Sequence, residues 1–250
     1  MQVRTIINSR DRLSPLQKLI EWLWEAGQHE IVVLDSLSTY PPLLDYYRQI
    51  ERRGVRVVRL RSNMGPHALW KQPNKALLRP PFVLSDSDCV PAEECPLDLI
   101  DFLWRAGNEI KGRYRALWHH PDPLQKIGPS FNLSNIPDSY KLKPWVLEWE
   151  NHIGGHGEGR ERFEGVDIYD AAIDTTFALY LDSTYWGYSA ARVGAPFLVD
   201  HLGWHVDSKK PTDEEVYYEQ HAIKGQRFHN WGSSACHSKQ VQSFCRQIKL

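Results

Sequence analysis

The chain has 250 residues, of which 42% are hydrophobic and 24% charged, with a formal net charge of -1. This length suits one large α/β domain or two smaller ones, and the balanced charge gives no reason to expect a nucleic-acid partner. No long apolar region begins the chain and no run approaches membrane-spanning length, so we expect a cytoplasmic protein. The inner face of the membrane, through peripheral contact, is an alternative location. The four cysteines include no Cys-x-x-Cys pair, and we expect them to be reduced.

The first ninety residues alternate between strand and helix patterns. We predict strands at Val3–Ile7, Glu30–Leu34, Val55–Leu60 and Phe82–Leu84, and helices at about Ser14–Ala26, Pro41–Arg53 and His67–Lys71. This order predicts an α/β fold with a mostly parallel, Rossmann-like central sheet flanked by helices. Because the sequence shows no repeat and no low-complexity linker, we predict a single domain over residues 1–250.

The pattern is less regular after residue 88. We expect helices at Glu94–Ala106 and Trp145–Asn151 and strands at Arg113–Trp118, Gly128–Leu133 and Phe197–Val199. The glycine-rich stretch 152–165 predicts a mobile loop. A capping box, Thr212-Asp213-Glu214-Glu215, predicts the start of a final helix.

The most informative stretch is Phe82–Asp88, an apolar run that stops at two carboxylates, Asp86 and Asp88. Residues i and i+2 of a strand point the same way, so both carboxylates are predicted to face the carboxyl end of a buried strand. Such oxygen pairs suit a Mg²⁺ or Mn²⁺ ion that also binds substrate phosphates. An Asx turn that ends the strand is the alternative.

Polar residues follow each of the first four predicted strands. They are Asn8, Asp35, Asn63 and Asp86. Because the carboxyl ends of parallel strands lie at one edge of a sheet, the fold is predicted to gather these side chains on one rim.

These residues resemble the GT-A glycosyltransferases, and within them glycosyltransferase family 2, over about residues 2–105. The resemblance rests on Asn8-Ser9-Arg10, Val32-Val33-Leu34-Asp35-Ser36, Asn63-Met64-Gly65 and the DXD motif Asp86-Ser87-Asp88. It implies a nucleotide-sugar-binding half over 1–105 and an acceptor-binding half over 106–250, in an enzyme of the hexosyltransferase type.

The resemblance also implies roles for individual residues. By family pattern, Asp35 contacts the base or ribose, Asp88 binds the cation, and Asp86 contacts ribose or metal. The donor-binding residues that it implies are Asn8, Arg10, Asp35, Asn63, Gly65, Asp86 and Ser87. Two departures stand out: the turn after the second strand is Asp35-Ser36-Leu37-Ser38, without glycine, and no Glu-Asp pair supplies a catalytic base.

The second half offers candidates for the missing ligand and base. His201 is the expected histidine ligand, since it follows the apolar Phe197–Val199 run, and His205 is the second choice. Asp174 interrupts an apolar segment and is the expected base, with helix capping through the following threonines as the alternative. Asp167 and Asp170 are weaker rivals. Trp186 and Trp204 are candidates for an acceptor floor, and core packing is the alternative for both.

The resemblance therefore implies a Mn²⁺- or Mg²⁺-dependent transfer from a UDP- or GDP-sugar to a glycan or lipid-linked acceptor, with an inverting or a retaining outcome. A sugar-phosphate nucleotidyltransferase is an alternative, although the turn Asn8–Leu13 lacks the glycines that such enzymes use. A non-catalytic protein that keeps the fold and binds nucleotide sugars is the other alternative.

Overall fold

The computed structural model describes residues 1–71, 73–153, 161–182, 184, 187, 189–207 and 209–221. The strands are β1 (Arg4–Ser9), β2 (Ile31–Asp35), β3 (Arg56–Arg59), β4 (Phe82–Asp86), β5 (Cys89–Pro91), β6 (Lys126–Phe131), β7 (Glu161–Phe163), β8 (Val166–Asp170), β9 (Ala178–Tyr180) and β10 (Ala190–His201). The helices are α1 (Ser14–Glu25), α2 (Pro41–Arg52), α3 (Leu99–Lys111), α4 (Tyr114–Leu117), α5 (Lys143–Ile153) and α6 (Asp213–His221). Short 3₁₀ turns lie at Ala68–Trp70, Asn74–Leu77 and Leu202–His205.

The amino-terminal half forms a parallel sheet in the order β3-β2-β1-β4. Its strands are apolar because both faces are covered: Ile7 and Val83 belong to one hydrophobic core, and Ile6 and Leu84 to a second core on the opposite face. Helix α1 packs Leu16, Leu19 and Leu23 into the first of these cores. The predicted α/β fold with its parallel core and flanking helices is confirmed.

The carboxy-terminal half continues the same sheet as β4-β9-β6-β10-β8-β7, with β5 paired to β10. Here β6 and β10 are parallel, whereas β9, β8 and β5 join antiparallel to their neighbours. In the β5–β10 pair, His201 lies opposite Cys89. This pairing brings the end of the longest strand beside the residue that follows Asp88.

Several predicted elements differ from the structure, among them the helix at His67–Lys71, which is a 3₁₀ turn over Ala68–Trp70. The strand predicted at Arg113–Trp118 is wrong: residues 114–117 form α4, in which Tyr114 is fully buried and packs against Trp118. Its alternating charged and apolar letters imitate a strand, but a single helical turn places Tyr114 and Trp118 on one face. Helix α3 begins at Leu99, after Pro96, and not at Glu94. Strand β6 begins two residues before the predicted Gly128.

Other predicted elements agree with the structure. The helix over Trp145–Asn151 is confirmed within α5, and Phe197–Val199 within β10. The capping box is confirmed, since Glu215 N donates to Thr212 Oγ1 (3.3 Å) and Thr212 N to Glu215 Oε2 (2.6 Å).

The loop predicted at 152–165 is wrong at both of its ends. Helix α5 reaches residue 153 and β7 occupies Glu161–Phe163, while residues 154–160 lie outside the described part of the chain. Of the cysteines, Cys89 and Cys95 are free thiols, as predicted, and Cys236 and Cys245 lie outside the described residues. None of the helices described has the length and apolar character needed to cross a membrane.

Candidate functional site at the carboxyl rim of the sheet

The first strand ends meet on one rim of the sheet. Strand register pairs Asn8 with Asp86 and Ser9 with Asp35. The Asn8 amide donates to Asp86 Oδ1 (3.1 Å) and to the carbonyl oxygen of Pro66 (2.9 Å), which lies in the loop after β3. The loop of Asn63 and the other three polar residues therefore lie on one rim, as the sequence predicts.

Both carboxylate oxygens of Asp86 are held by the protein. Asn8 donates to Oδ1, and the Thr175 hydroxyl donates to Oδ2 at 2.8 Å. Burial, with the added charge of Asp88, raises the pKa of Asp86 to about 8, although both hydrogen bonds act in the opposite direction. Because the ionised form of Asp86 is unfavourable in this buried position, a cation next to Asp88 would stabilise it.

The Asp88 carboxylate lies close to the His201 ring. Asp88 Oδ2 lies 3.9 Å from His201 Nδ1, and a ligand atom of Cys89 completes a group whose members lie within 4.8 Å of one another. Leu202 N donates to the Asp88 carbonyl at 2.7 Å, which ties the turn after β4 to the end of β10. The two aspartates thus have different surroundings, although they are one residue apart.

The surroundings of the His201 ring suit a nitrogen that donates its lone pair to a metal ion. It stacks on Trp204, with ring centres 4.5 Å apart and planes 7° from parallel. Its Nδ1 is buried and receives no hydrogen bond. Burial lowers the pKa of His201, against the opposing effect of Asp88, and so favours the neutral imidazole.

These residues fit a divalent cation. A buried imidazole nitrogen without a hydrogen bond, facing a carboxylate oxygen, is a donor pair that a transition-metal ion such as Mn²⁺ accepts better than Mg²⁺ does. Burial raises the pKa of the Cys89 thiol well above its usual value, and a hard cation prefers oxygen ligands over sulfur. Asp88 and His201 are therefore the residues that would hold the ion.

Asp174 lies in an irregular segment, 171–177, between β8 and β9. No helix follows it, so the alternative that it caps a helix is wrong. Its Oδ1 is buried and accepts no hydrogen bond, while the side chain as a whole is 42% exposed. His67 Nε2 lies 3.8 Å from this oxygen. Burial raises the pKa of Asp174, and His67 and Lys126 act against that rise.

Two buried cations, which the sequence interpretation missed, hold the segment that carries Asp174. Lys126 Nζ donates to the Asp174 carbonyl oxygen (2.8 Å) and to the Tyr180 hydroxyl (3.2 Å). Arg192 donates to the Ala172 carbonyl oxygen (3.0 and 2.7 Å). Thr175, in the same segment, is the residue that binds Asp86. The backbone around Asp174 is thereby fixed relative to the strand end that carries Asp86.

The structure gives Asp35 and Arg10 partners within the protein. Asp35 is fully buried, and its carboxylate accepts hydrogen bonds from Ser38 N (3.1 Å), Tyr47 (3.1 Å) and Arg59 (3.0 Å). Arg10 donates to the carbonyl oxygen of His221 in α6 at 2.7 Å. Asp35 therefore organises the turn after β2, and a donor nucleotide would have to compete for both side chains.

The remaining expected donor-binding residues shape the rim through the backbone. Asn63 Oδ1 accepts from Gly65 N (2.9 Å), and Gly65 has a φ of +70°, which glycine tolerates without strain. Ser87 N donates to the Asn8 carbonyl at 2.9 Å. These contacts fix the loops on either side of Asn8.

The two weaker candidates for the base, Asp167 and Asp170, contact other side chains. Asp167 pairs with Arg162 (3.0 Å), and Asp170 accepts from the Tyr114 hydroxyl (2.5 Å). His205 lies outside the group formed by Asp88, Cys89 and His201 among the described residues. Trp204 is 1% exposed, so it is core and supports His201, while Trp186 lies outside the described residues.

For one of the residues that the sequence interpretation missed, Arg192, the sequence does carry a signal. Arg192 interrupts the apolar run Ala190–Val193 in the same way that Asp174 interrupts its own segment. Lys126 and His67 carry no such signal, because each stands at the edge of a polar stretch. Their roles depend on the antiparallel insertion of β9, which local patterns do not reveal.

The chain has the mostly parallel α/β sheet that the sequence predicts, and its Asp-Ser-Asp motif begins at the last residue of β4. One partly similar solved structure is the mannosyltransferase PcManGT from Pyrobaculum calidifontis in complex with GDP-Man and Mn²⁺. It is 18% identical over 53% of this chain and 36% of that chain, with a TM-score of 0.35. Another is S. aureus TarS in complex with UDP-GlcNAc, 18% identical over 56% of this chain and 38% of that one, also with a TM-score of 0.35.

The chain thus spans little more than a third of the length of these two structures. No protein-family model and no curated protein matches the chain. The proposed function therefore rests on the geometry of the rim itself.

Proposed function

We propose that the chain is a metal-dependent glycosyltransferase that moves a sugar from a UDP- or GDP-sugar to a glycan or lipid-linked acceptor. The observation that carries this proposal is the meeting of Asp88 with His201, at 3.9 Å, on the rim where Asn8 and Asp86 end their strands. In the proposal, residues 1–105 bind the donor and 106–250 the acceptor, within one domain. The two halves share one continuous sheet, which supports the single domain.

Donor binding needs groups that fix a nucleotide diphosphate and balance its charge. Asp88 and His201 would hold the cation, for which Mn²⁺ is the better fit, and a bound cation would neutralise charge that develops on the departing diphosphate. Asn8 holds Asp86 in place by its amide, and Asp86 faces the ribose in this proposal. The rim loops of Asn63, Gly65 and Ser87 close around the nucleotide.

Asp174 is the proposed base of an inverting transfer. Its Oδ1 is buried without a hydrogen bond, so it is ready to accept the proton of an acceptor hydroxyl. As that proton moves to Asp174, the acceptor oxygen bonds to the anomeric carbon of the sugar and the bond from that carbon to the phosphate oxygen breaks. His67, 3.8 Å away, orients the carboxylate, and Lys126 fixes the backbone behind it.

Thermal unfolding with a panel of nucleotides and nucleotide sugars, with and without Mn²⁺, tests the donor site. We expect UDP or GDP and its sugars to raise the melting temperature in a Mn²⁺-dependent manner. Asp88→Asn and His201→Ala should remove the Mn²⁺-dependent part. Asp45→Asn, an exposed aspartate on α2, is the matched control. Stabilisation by nucleoside triphosphates alone would indicate a nucleotidyltransferase instead.

The base is tested by the release of UDP or GDP from the best donor, with water and a panel of glycosides as acceptors. Asp174→Asn should retain donor binding and lose about 100- to 10,000-fold in turnover. Asp167→Asn, on the neighbouring strand, is the matched control and should keep full turnover. Equal turnover in the two variants would remove Asp174 from the reaction.

A further inference from the structure

A cavity of about 570 Å³ lies at the amino ends of the parallel strands, whereas Asp86 ends β4 at the carboxyl rim. Strands β1, β2 and β3 line it with residues at or near their first positions, and the 3₁₀ turn Asn74–Leu77 forms the other wall. Small-molecule sites in proteins enclose about 300–1,000 Å³, so the cavity has the size of a ligand site. It lies at the end of the sheet away from the proposed donor site.

The floor of the cavity is apolar. It is lined by Ile31 and Val32 of β2, Val58 of β3 and Leu77 of the 3₁₀ turn. Val32 and Leu77 belong to the second hydrophobic core, and Val58 packs against that core. The cavity is therefore an opening at the edge of the second core, and an apolar part of a ligand would contact hydrophobic side chains there.

Three arginines, Arg4, Arg56 and Arg79, surround this floor. Strand register pairs Arg56 with Val32, so Arg56 lies on the face of the sheet that carries the second core. Arg79 comes to the cavity from the opposite wall, where its backbone nitrogen donates to the Leu77 carbonyl oxygen at 2.9 Å. The arginines therefore come from different elements of the chain and meet at one cavity.

The lining of the cavity carries a surplus of positive charge. Among the described residues that line it, Glu30 is the one acid, and Arg4 Nε donates to the Glu30 carboxylate at 2.7 Å. This ion pair balances one arginine and leaves the charges of Arg56 and Arg79 without a matching acid in the described lining. Two surplus cations at the mouth of a concave site attract an anionic ligand.

Charged side chains on an edge strand also prevent pairing with another chain, and β3 lies at an edge of the described sheet. That role accounts for Arg56 alone. Arg79 precedes β4, which lies inside the sheet between β1 and β9, so edge protection does not explain it. The combination of two arginines on different elements with an apolar cavity between them fits a ligand site better.

We propose that this cavity binds an organic phosphate with an apolar part. The phosphate lies against Arg56 and Arg79, and the apolar part covers Val32, Val58 and Leu77. A planar guanidinium donates to two phosphate oxygens at once, which makes arginine well suited to this group. A membrane lipid with a phosphate headgroup and a soluble phosphate ester share this chemistry. The site is separate from the carboxyl rim, so it does not depend on the proposed function.

Isothermal titration calorimetry in EDTA with hexyl phosphate, inorganic phosphate and hexanol tests the proposal. We expect saturable binding of hexyl phosphate that is tighter than the binding of either of the other two. The double variant Arg56→Gln/Arg79→Gln should weaken the binding of hexyl phosphate about 10- to 100-fold, because it removes both charged donors. Arg48→Gln, at an exposed arginine on α2 outside the lining, is the matched control and should bind as the wild type does.

Sedimentation with phosphatidylcholine vesicles, with and without phosphatidic acid, distinguishes the two sources of the phosphate. Binding to the phosphatidic acid vesicles that the double variant lowers identifies a lipid headgroup. Binding of hexyl phosphate without binding to these vesicles identifies a soluble phosphate ester. No saturable binding of hexyl phosphate, or equal affinity in the wild type and the double variant, would overturn the proposal, and equal affinity for inorganic phosphate would refute the apolar contact.

Discussion

Lys126 makes the stability of this protein depend on pH in a direction that can be measured. Its side chain is fully buried in β6, and burial lowers its pKa from 10.5 to about 8, with Asp174 opposing the shift and Arg192 adding to it. The unfolded chain therefore binds more protons than the folded one between about pH 8 and 10.5, so the free energy of unfolding rises as the pH increases through this range. Below pH 8 the folded protein holds a charged lysine at an energetic cost.

The size of the effect follows from the shift. A difference of 2.5 pKa units corresponds to about 3 kcal/mol in total, of which about 2.5 kcal/mol is regained between pH 7 and pH 10. We expect the free energy of unfolding of the wild type to rise by this amount relative to Lys126→Met over that interval.

Urea denaturation of both proteins at pH 7, 8, 9 and 10 measures the difference, because all other titrating groups are common to the two. Lys111→Met, at a partly exposed lysine on α3, is the control and should give a curve parallel to the wild type. Parallel curves for the wild type and Lys126→Met would refute the claim that burial lowers the pKa of this lysine.

Two further predictions concern buried polar groups. Arg192→Met removes the partner that lies 2.6 Å from the buried Glu150 carboxylate, and it should lower the free energy of unfolding, measured by urea denaturation, by about 3–5 kcal/mol. The double variant Arg192→Met/Glu150→Met should regain part of this loss, and no recovery would contradict the prediction. Asp35→Asn weakens the bonds from Arg59 and Tyr47 and should cost about 1.5–3 kcal/mol, whereas an unchanged stability would show that this carboxylate is not a structural anchor.

Much of the amino-terminal half follows from local sequence alone. Its strands are continuous apolar runs, its helices have apolar residues at helical spacing, and parallel strands place their carboxyl ends together without long-range information. The sequence alone therefore places Asn8, Asp35 and Asp86 on one rim, and the strand register agrees.

The partners of these residues could not be predicted in the same way. Thr175 contacts Asp86, and Lys126 and Arg192 hold the Asp174 segment, because β9 inserts antiparallel between β4 and β6 and β10 runs parallel to β6. Such strand pairings join residues that lie far apart in the sequence, so local patterns do not reveal them.

Pulsed electron paramagnetic resonance of Mn²⁺ added to the protein tests most directly whether Asp88 and His201 hold one cation. We predict a ¹⁴N modulation from one imidazole that is present in the wild type, lost in His201→Gln and retained in His205→Gln. Asp88→Asn should weaken Mn²⁺ binding itself. A spectrum without nitrogen coupling, or coupling that persists in His201→Gln, would contradict the account.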